Sequence, residues 1–330
     1  MPTNLARVAK DKGIKYFLIS FVDLFGVLRS KLVPARAIGD MQKDGAGFAG
    51  FAAWLDMTPA HPDMFSIPDP TSLIQLPWKP EVAWLAGDLW MDGKEVEASP
   101  RVALKRQMAR AGKKGYYMKT GVECEYFLIT PDGLAISDAN DTQEKPCYDQ
   151  SALMRRYDVI SEICDAMIEL GWNPYQNDHE DANGQFEMNW EFDDALVTAD
   201  RHVFFKYMVK AIAEKHGLRA TFMPKPFANL TGNGCHAHVS VWTRWERRTS
   251  FIALVIHWAC PSWLIIFLGE FCTMQMHWRQ FSILLSIVTS ASMRKSRCLE
   301  RPGHPMPLRT GAIIVRTWCG YRTKDDSNCA

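Results

Sequence analysis

The sequence predicts a mixed chain of the α+β class, in which a strand-rich segment precedes one where helices and strands share the chain. Three observations carry this prediction. Residues 16–33 hold two β-rich runs about a short turn, residues 98–242 hold three helix-forming segments separated by strand-like pieces, and the charge and cysteine content change abruptly after residue 242. At 330 residues the chain can bury a large core in two domains, and its formal net charge of +1 lacks the basic excess of a nucleic-acid or membrane-surface binder. The N-terminal stretch MPTNLARVAKDKG has no apolar signal-peptide core, which points to the cytoplasm.

Tyr16 to Val33 reads YFLISFVDLFGVLRSKLV, two runs joined at Asp23-Leu24-Phe25-Gly26, which predicts a hairpin closed by Pro34. From Ala46 to Trp90 the chain is rich in Pro, Trp and Asp with no sustained helical period, so loops and short strands are expected, including Glu81 to Leu85. Ser99 suits an N-cap and Pro100 the first helical position, with Gly112 as a stop. That helix opens a second domain, 98–242, after a first of 1–97. A second helix is expected from Ser151 to Leu170, with Leu153, Met154, Tyr157, Ile160, Ile163 and Met167 on one face, and a third from Asp200 to Lys215, stopped by Gly217.

The chemistry lies between these helices. Lys119 to Ile129 has strand propensity throughout, and a period of two sends Glu123 and Glu125 to one face. Asp178-His179-Glu180-Asp181 and Gly184-Gln185-Phe186-Glu187 add the carboxylates of Glu180 and Glu187 around a glycine-containing turn. In TFMPKPFANLTGNGCHAHVS, residues 221–240, two prolines force extended backbone before Gly232-Asn233-Gly234, and the chain leaves with His236, His238 and Ser240 alternating onto one strand face. Glutamates and imidazole converging from separate strands make an oxygen-dominated site that suits Mg²⁺ or Mn²⁺ better than zinc, and paired cations clamp phosphate oxygens. Neither a Walker A loop nor GxGxxG is present, so a nucleotide would need a different cradle.

With ExE, HE…QFE and MPKP…GNGCHAHVS in this order and spacing, the chain resembles glutamine synthetase over nearly all of residues 1–242, most closely the branch with gamma-glutamylmethylamide synthetase and the rhizobial type III enzymes. The resemblance implies a small β-grasp-like N-terminal domain, a catalytic domain whose antiparallel strands form a funnel, and assembly into rings, often dodecamers. It implies an ATP-dependent ligase that phosphorylates glutamate and lets ammonia displace phosphate from γ-glutamyl phosphate. By motif, Glu125, Glu180 and Glu187 resemble ligands of one Mg²⁺ or Mn²⁺, while Glu123 and His236 resemble ligands of a second. His238 and Ser240 match nucleotide-contacting positions, and Gly232 matches a glutamate-contacting backbone whose missing Cβ would let substrate approach. An acidic residue of the family's FDGSS-like loop appears here as Ala49, within Phe48-Ala49-Gly50-Phe51-Ala52, which favours a larger or less charged acceptor such as methylamine.

The resemblance stops after Trp242. Residues 1–242 hold 26 Lys and Arg against 32 Asp and Glu, while residues 243–330 hold 12 against 5 and five of the nine cysteines, without CxxC or regular spacing. Back-translating Ser282 to Met293 with permitted codons and reading one nucleotide earlier gives NPTVNSYKRIN. The same shift yields ADALA from Met274 to Arg279, NNRTHMVRVP from Ala312 to Arg322 and GRFEL from Lys324 to Cys329. Four family segments emerging in order from one shift predict a single-base deletion near codon 242 and an out-of-frame, poorly ordered tail over 243–330. Its apolar run from Phe251 to Leu268 is broken by His257 and Pro261 and is too short for a membrane helix. The arginines and last glutamate ligand that the family places there are lost, so the chain as written is expected to be impaired, or a non-catalytic remnant that binds nucleotide or joins intact relatives.

Overall fold

The computed structural model describes residues 3–243 and, beyond them, the backbone of two short strands at 254–258 and 313–315. The expected out-of-frame tail otherwise lies outside the described residues.

Helix α1 (Leu5–Lys12) opens the chain, its first turn capped by the Asn4 side chain, which accepts from Arg7 N at 3.0 Å, and its end turned by Gly13 at φ 69°. Strands β1 (Tyr16–Val22) and β2 (Leu28–Pro34) form the antiparallel hairpin, Tyr16 opposite Pro34 and Val22 opposite Leu28. Its turn is fastened by buried Asp23, whose Oδ1 accepts from Phe25 N and Val27 N at 2.9 Å each while Oδ2 accepts from Arg29 Nε at 2.8 Å. Helix α2 (Ile38–Asp44) follows, then β3 (Ala46–Phe48), β4 (Met64–Pro68), β5 (Ile74–Gln75), β6 (Val82–Met91) and β7 (Lys94–Glu95). The sheet runs β2-β1-β6-β4-β3, with β1 and β6 parallel and β5 and β7 also on β6. Its core gathers Leu5, Phe17, Ile19, Ile38, Leu85 and Leu89.

The second unit begins with α3 (Pro100–Lys113) and the long strand β8 (Tyr116–Ile129). Ser99 precedes α3 as expected but makes no capping bond with its side chain, and the helix runs through Gly112. The expected helix over 151–170 divides into α4 (Gln150–Arg155) and α5 (Tyr157–Glu169), separated at Arg156, whose φ of −113° leaves the helical range. The Arg156 guanidinium is anchored instead on Ser137, with Nε donating to Oγ at 2.9 Å. Met154 and Tyr157, placed by periodicity on the apolar face, are each 55% exposed, because the break rotates them away from the core.

Strands β9 (Pro174–His179), β10 (Gln185–Trp190) and β11 (Asp193–Asp194) lead into α6 (Ala195–Lys215), which starts five residues before the expected Asp200. Its first turns bury Ala195, Thr198 and Ala199 behind β8, Thr198 Oγ1 donating to Thr120 O at 2.7 Å. That packing overrides the weak local signal. Strands β12 (Arg219–Thr221) and β13 (Cys235–Thr243) follow, then β14 (Leu254–Trp258) and β15 (Ile313–Val315). The eight-stranded sheet runs β15-β14-β13-β8-β10-β9, with β11 and β12 also on β8, and every pair is antiparallel except β14 with β15. Helices α5 and α6 cover one face around Tyr126, Ile163, Phe186, Phe204 and Phe205, leaving the other face open as the wall of a funnel.

The two sheets are joined by buried Arg101 on α3. Its Nη1 donates to Asp88 Oδ1 of β6 at 2.6 Å, its Nη2 to Asp69 Oδ2 at 2.9 Å, and its Nε and Nη2 to Asp200 of α6 at 3.0 and 2.9 Å. Lys105 adds a second cation on Asp88. Burial disfavours the charged guanidinium, but the three carboxylates outweigh it and keep Arg101 firmly protonated. Among the described residues no helix is long and apolar enough to cross a membrane.

Candidate metal centre

The funnel face of the second sheet is built from the pleat. Along β13, Cys235, Ala237 and Val239 are buried in the core, while His236, His238 and Ser240 are half-buried on the open side. Along β8, Glu123 and Glu125 share that open side and Cys124 turns inward. Register then sets the neighbours. His236 stands opposite Glu123, Glu187 opposite Glu125, and Asp178 opposite Glu187.

Glu123 holds both imidazoles. His236 Nδ1 lies 3.1 Å from Glu123 Oε2, and His238 Nε2 lies 3.0 Å from Oε1, an ion-pair contact off the line of a hydrogen bond. The hydrogen bond from His236, then the close imidazole of His238, pulls the Glu123 carboxyl down to about 2 against the opposing effect of burial. Burial opposes charge on His236, but Glu123 and the surrounding glutamates raise its pKa.

The other carboxylates are strained in the opposite sense. Burial first, then neighbouring negative charge, lifts Glu125 to about 7 and Glu187 to about 8. Burial raises Glu180 and Asp178 as well. A row of acidic groups across adjacent strands is repulsive unless protons or cations sit among them.

Two sets of donor atoms lie within 4.8 Å of one another, Glu123 with Glu187 and His236, and Asp178 with Glu180 and Glu187. Both use Glu187. Oxygen-rich sets of this kind fit Mg²⁺ or Mn²⁺, and the imidazole in the first is compatible with either. The grouping differs from the one the resemblance implied. Glu125 is in neither set; its Oε2 accepts from Gly234 N and from Gln185 Nε2 at 2.8 Å each, and its side chain still lies on the same open face. Asp178, opposite Glu187 on β9, joins Glu180, which follows the end of that strand.

Gly232 owes its missing Cβ to its own chain. A Cβ there would stand 2.4 Å from Pro224 O, and Asn233 N donates to the same carbonyl at 2.8 Å. Ser240 Oγ accepts from Trp242 Nε1 at 2.9 Å and lies 3.4 Å from Lys119 O, while Lys119 Nζ sits 4.7 Å from the Trp242 ring centroid. That basic, aromatic edge adjoins the imidazoles.

Several supporting residues were not legible as functional. Buried Gln185 donates from Nε2 to Glu125 Oε2, Gly232 O and Asn233 Oδ1 at 2.8, 3.0 and 2.9 Å, tying the glycine turn to the carboxylate row. Asn233 in turn donates to Met223 O at 2.9 Å. His179, buried between Asp178 and Glu180, is fixed by Asp141 Oδ2 at 2.6 Å and Pro146 O at 2.8 Å, and Asp141 Oδ2 also accepts from Gly184 N at 2.6 Å. Asn189 Nδ2 donates to Glu187 Oε1 at 2.7 Å. Amides betray themselves only by what they bond, which the sequence does not display.

Residues 97–252 match the family described as glutamine synthetase, catalytic domain. The chain is 72% identical over 242 residues to a glutamine synthetase of Rhizobium leguminosarum bv. phaseoli, covering 73% of this chain and 56% of that protein. This part of the chain belongs to the glutamine synthetase family. It is also 41% identical over 244 residues to a glutamate–methylamine ligase of Methyloversatilis universalis, covering 73% of this chain and 55% of the relative. A solved structure titled as a GmaS/ADP complex is 70% identical at a TM-score of 0.72, covering 73% of this chain and 56% of that one. The chain thus spans about half the length of the curated relatives it matches.

Proposed function

We propose that residues 1–242 carry the cation- and nucleotide-facing part of an ATP-dependent ligase that joins the side-chain carboxylate of glutamate to ammonia, giving glutamine by way of γ-glutamyl phosphate. The observation that carries this reading is Glu187 shared between two donor sets, one with Glu123 and His236, the other with Asp178 and Glu180. When bound there, Mg²⁺ or Mn²⁺ would offset the charge of ATP phosphates. The chain's own part is to hold the oxygen donors in register on β8, β9 and β10, to keep Glu123 ionised through the imidazoles, and to present His238 and Ser240 beside them toward nucleotide. Glu125 supports the glycine turn from beneath, and Gly232 shapes the loop through which glutamate would approach. A cytoplasmic enzyme assembled as rings, dodecamers among them, is the form that the resemblance supports for this reading.

Methylamine is the second acceptor to consider. Its support is Ala49 in place of an acid, together with the methylamine ligase and GmaS relatives. Loss of a carboxylate weakens recognition of ammonium.

The reading is tested by titrating the full chain with Mn²⁺ and following the electron paramagnetic resonance of free ion. Two sites are expected, with both weakened in Glu187→Gln. Binding of Mn²⁺ at wild-type strength by that variant would overturn the shared-ligand assignment. Comparing ammonia and methylamine in a frame-corrected protein separates the two acceptors.

A further inference from the structure

The face of β8 and β13 that points away from the carboxylates holds chemistry the ligase reading does not use. Cys124 lies between Glu123 and Glu125, Cys235 lies between Gly234 and His236, and the pleat turns both thiols into the core, where the residues are 0% and 1% exposed. Both are free, and they are register partners. The adjoining pair, Glu125 and Gly234, is a hydrogen-bonded one, with Glu125 N donating to Gly234 O at 3.2 Å. Bonded and non-bonded pairs alternate along an antiparallel ladder. Cys124 and Cys235 therefore meet at a non-hydrogen-bonded position, where Cα atoms stand about 4.5 Å apart and side chains approach most closely. Disulfides span Cα separations of roughly 4.4–6.8 Å. The two sulfurs and a ring nitrogen of His202 lie within 4.8 Å of one another, so side-chain rotation with a small adjustment of the two strands brings the sulfurs together. A soft cation is less well served, since these three donors are one short of the four that a closed thiolate–imidazole zinc site takes.

We propose that Cys124 and Cys235 form a reversible cross-strand disulfide under a small peroxide, and that this bond loosens the adjoining cation site. With hydrogen peroxide, two S–H bonds and the O–O bond break while one S–S bond and two O–H bonds form. The sulfurs are oxidised and the peroxide is reduced to two waters. A thiol reductant reverses the step by exchange, leaving as its own disulfide. Because both thiols are buried, oxidation draws on local opening of the ladder. The neighbours have no slack to absorb the new bond. A Cβ on Gly234 would lie 2.5 Å from Glu125 Oε1, and Gly234 N already donates to Glu125 Oε2 at 2.8 Å. Pulling the strands together between these residues displaces Glu123, Glu125 and His236. The loosening rests on the cation-site reading above, whereas the bond does not.

The test uses the reduced full chain, exposed to hydrogen peroxide until the exposed Cys147 is modified, then alkylated, digested and analysed by mass spectrometry. The expected product is a peptide pair joining Cys124 to Cys235, lighter by two hydrogens, reversed by dithiothreitol and missing from Cys235→Ala. Its formation should lower Mn²⁺ affinity by about tenfold or more, the scale of losses from disturbed ligand support, and leave Cys235→Ala unaffected by peroxide. Absence of the linked pair after Cys147 has reacted overturns the proposal, as does a linked pair with unchanged Mn²⁺ binding for the coupling it asserts. Cys124→Ala serves as the second control if Cys235→Ala does not fold. Failure of the reduced protein to bind Mn²⁺ would refute the cation site and is read separately from the crosslink.

Discussion

His236 faces Glu123 across the β8–β13 ladder with Nδ1 3.1 Å from Oε2, and Glu123 reaches His238 with its other oxygen at 3.0 Å. One carboxylate therefore orients two imidazoles on the funnel wall. Glu123→Gln keeps the shape and removes the charge. Mn²⁺ affinity should fall by about tenfold or more, or roughly 1.4 kcal/mol. Calorimetric titration checks this, and unchanged affinity would place the cation elsewhere.

Arg101 is surrounded by Asp69, Asp88 and Asp200 while only 7% exposed. Arg101→Met leaves the carboxylates of Asp69 and Asp200 without their counter-ion, Asp88 keeping Lys105, and a loss of about 3–5 kcal/mol is expected. Urea unfolding should show a markedly lower midpoint, whereas a shift under about 0.5 kcal/mol, typical of surface substitutions, would contradict the buried network.

Gly232→Ala tests why that position lacks a side chain. The added methyl would meet Pro224 O at 2.4 Å, so the ligand-free protein should lose about 1–3 kcal/mol of stability. A variant with unchanged thermal stability but weaker glutamate binding would instead favour direct approach of substrate to this backbone.

A pH effect is expected on the surface of α5 and α6. Burial raises the Glu162 carboxyl, but hydrogen bonds from Lys215 Nζ and His216 Nε2, each at 2.7 Å, together with their positive charge outweigh it and hold the group below its usual 4.5. A depressed carboxylate stabilises the fold above its unfolded pKa and loses that contribution as pH falls through the folded value. The difference in melting temperature between wild type and Glu162→Gln should therefore be present at pH 6 and shrink below about 4.5. A difference that grows on acidification would reverse the assignment.

The shifted reading of residues 243–330 makes a genetic prediction. Resequencing across the codon of Trp242 should reveal the missing base, and restoring it should raise ATP-, glutamate- and hydroxylamine-dependent hydroxamate formation by orders of magnitude over the chain as written. Robust turnover by the uncorrected chain would defeat this account, and its co-purification with full-length relatives would identify an oligomerising remnant.

The donor-bearing strands were legible because a period of two is unambiguous where charged and apolar residues alternate. GVECEYFLI and CHAHVS could each place their polar groups on only one face, and the structure pairs them along one ladder. Asp178 was harder, since DHED offers three acids and only the register of β9 on β10 shows which of them face Glu187. Gln185 and Asn233 were illegible because neutral amides leave no charge pattern. The break at Arg156 escaped a periodicity argument because Ser137, which holds the guanidinium, lies 19 positions earlier in sequence. Local pattern determines faces, and long-range bonds determine where elements end.

The Arg101 cluster has a practical corollary for dissecting the molecule. Asp88 comes from the first sheet and Asp69 from the turn that follows β4, Asp200 from α6, and the guanidinium from the helix between them. A cut near residue 98 would strip the anterior fragment of its cation and leave the posterior one with an excess of donors over acceptors. Neither fragment should be expected to behave as an autonomous module, and truncation experiments on this scaffold are better placed after Trp242.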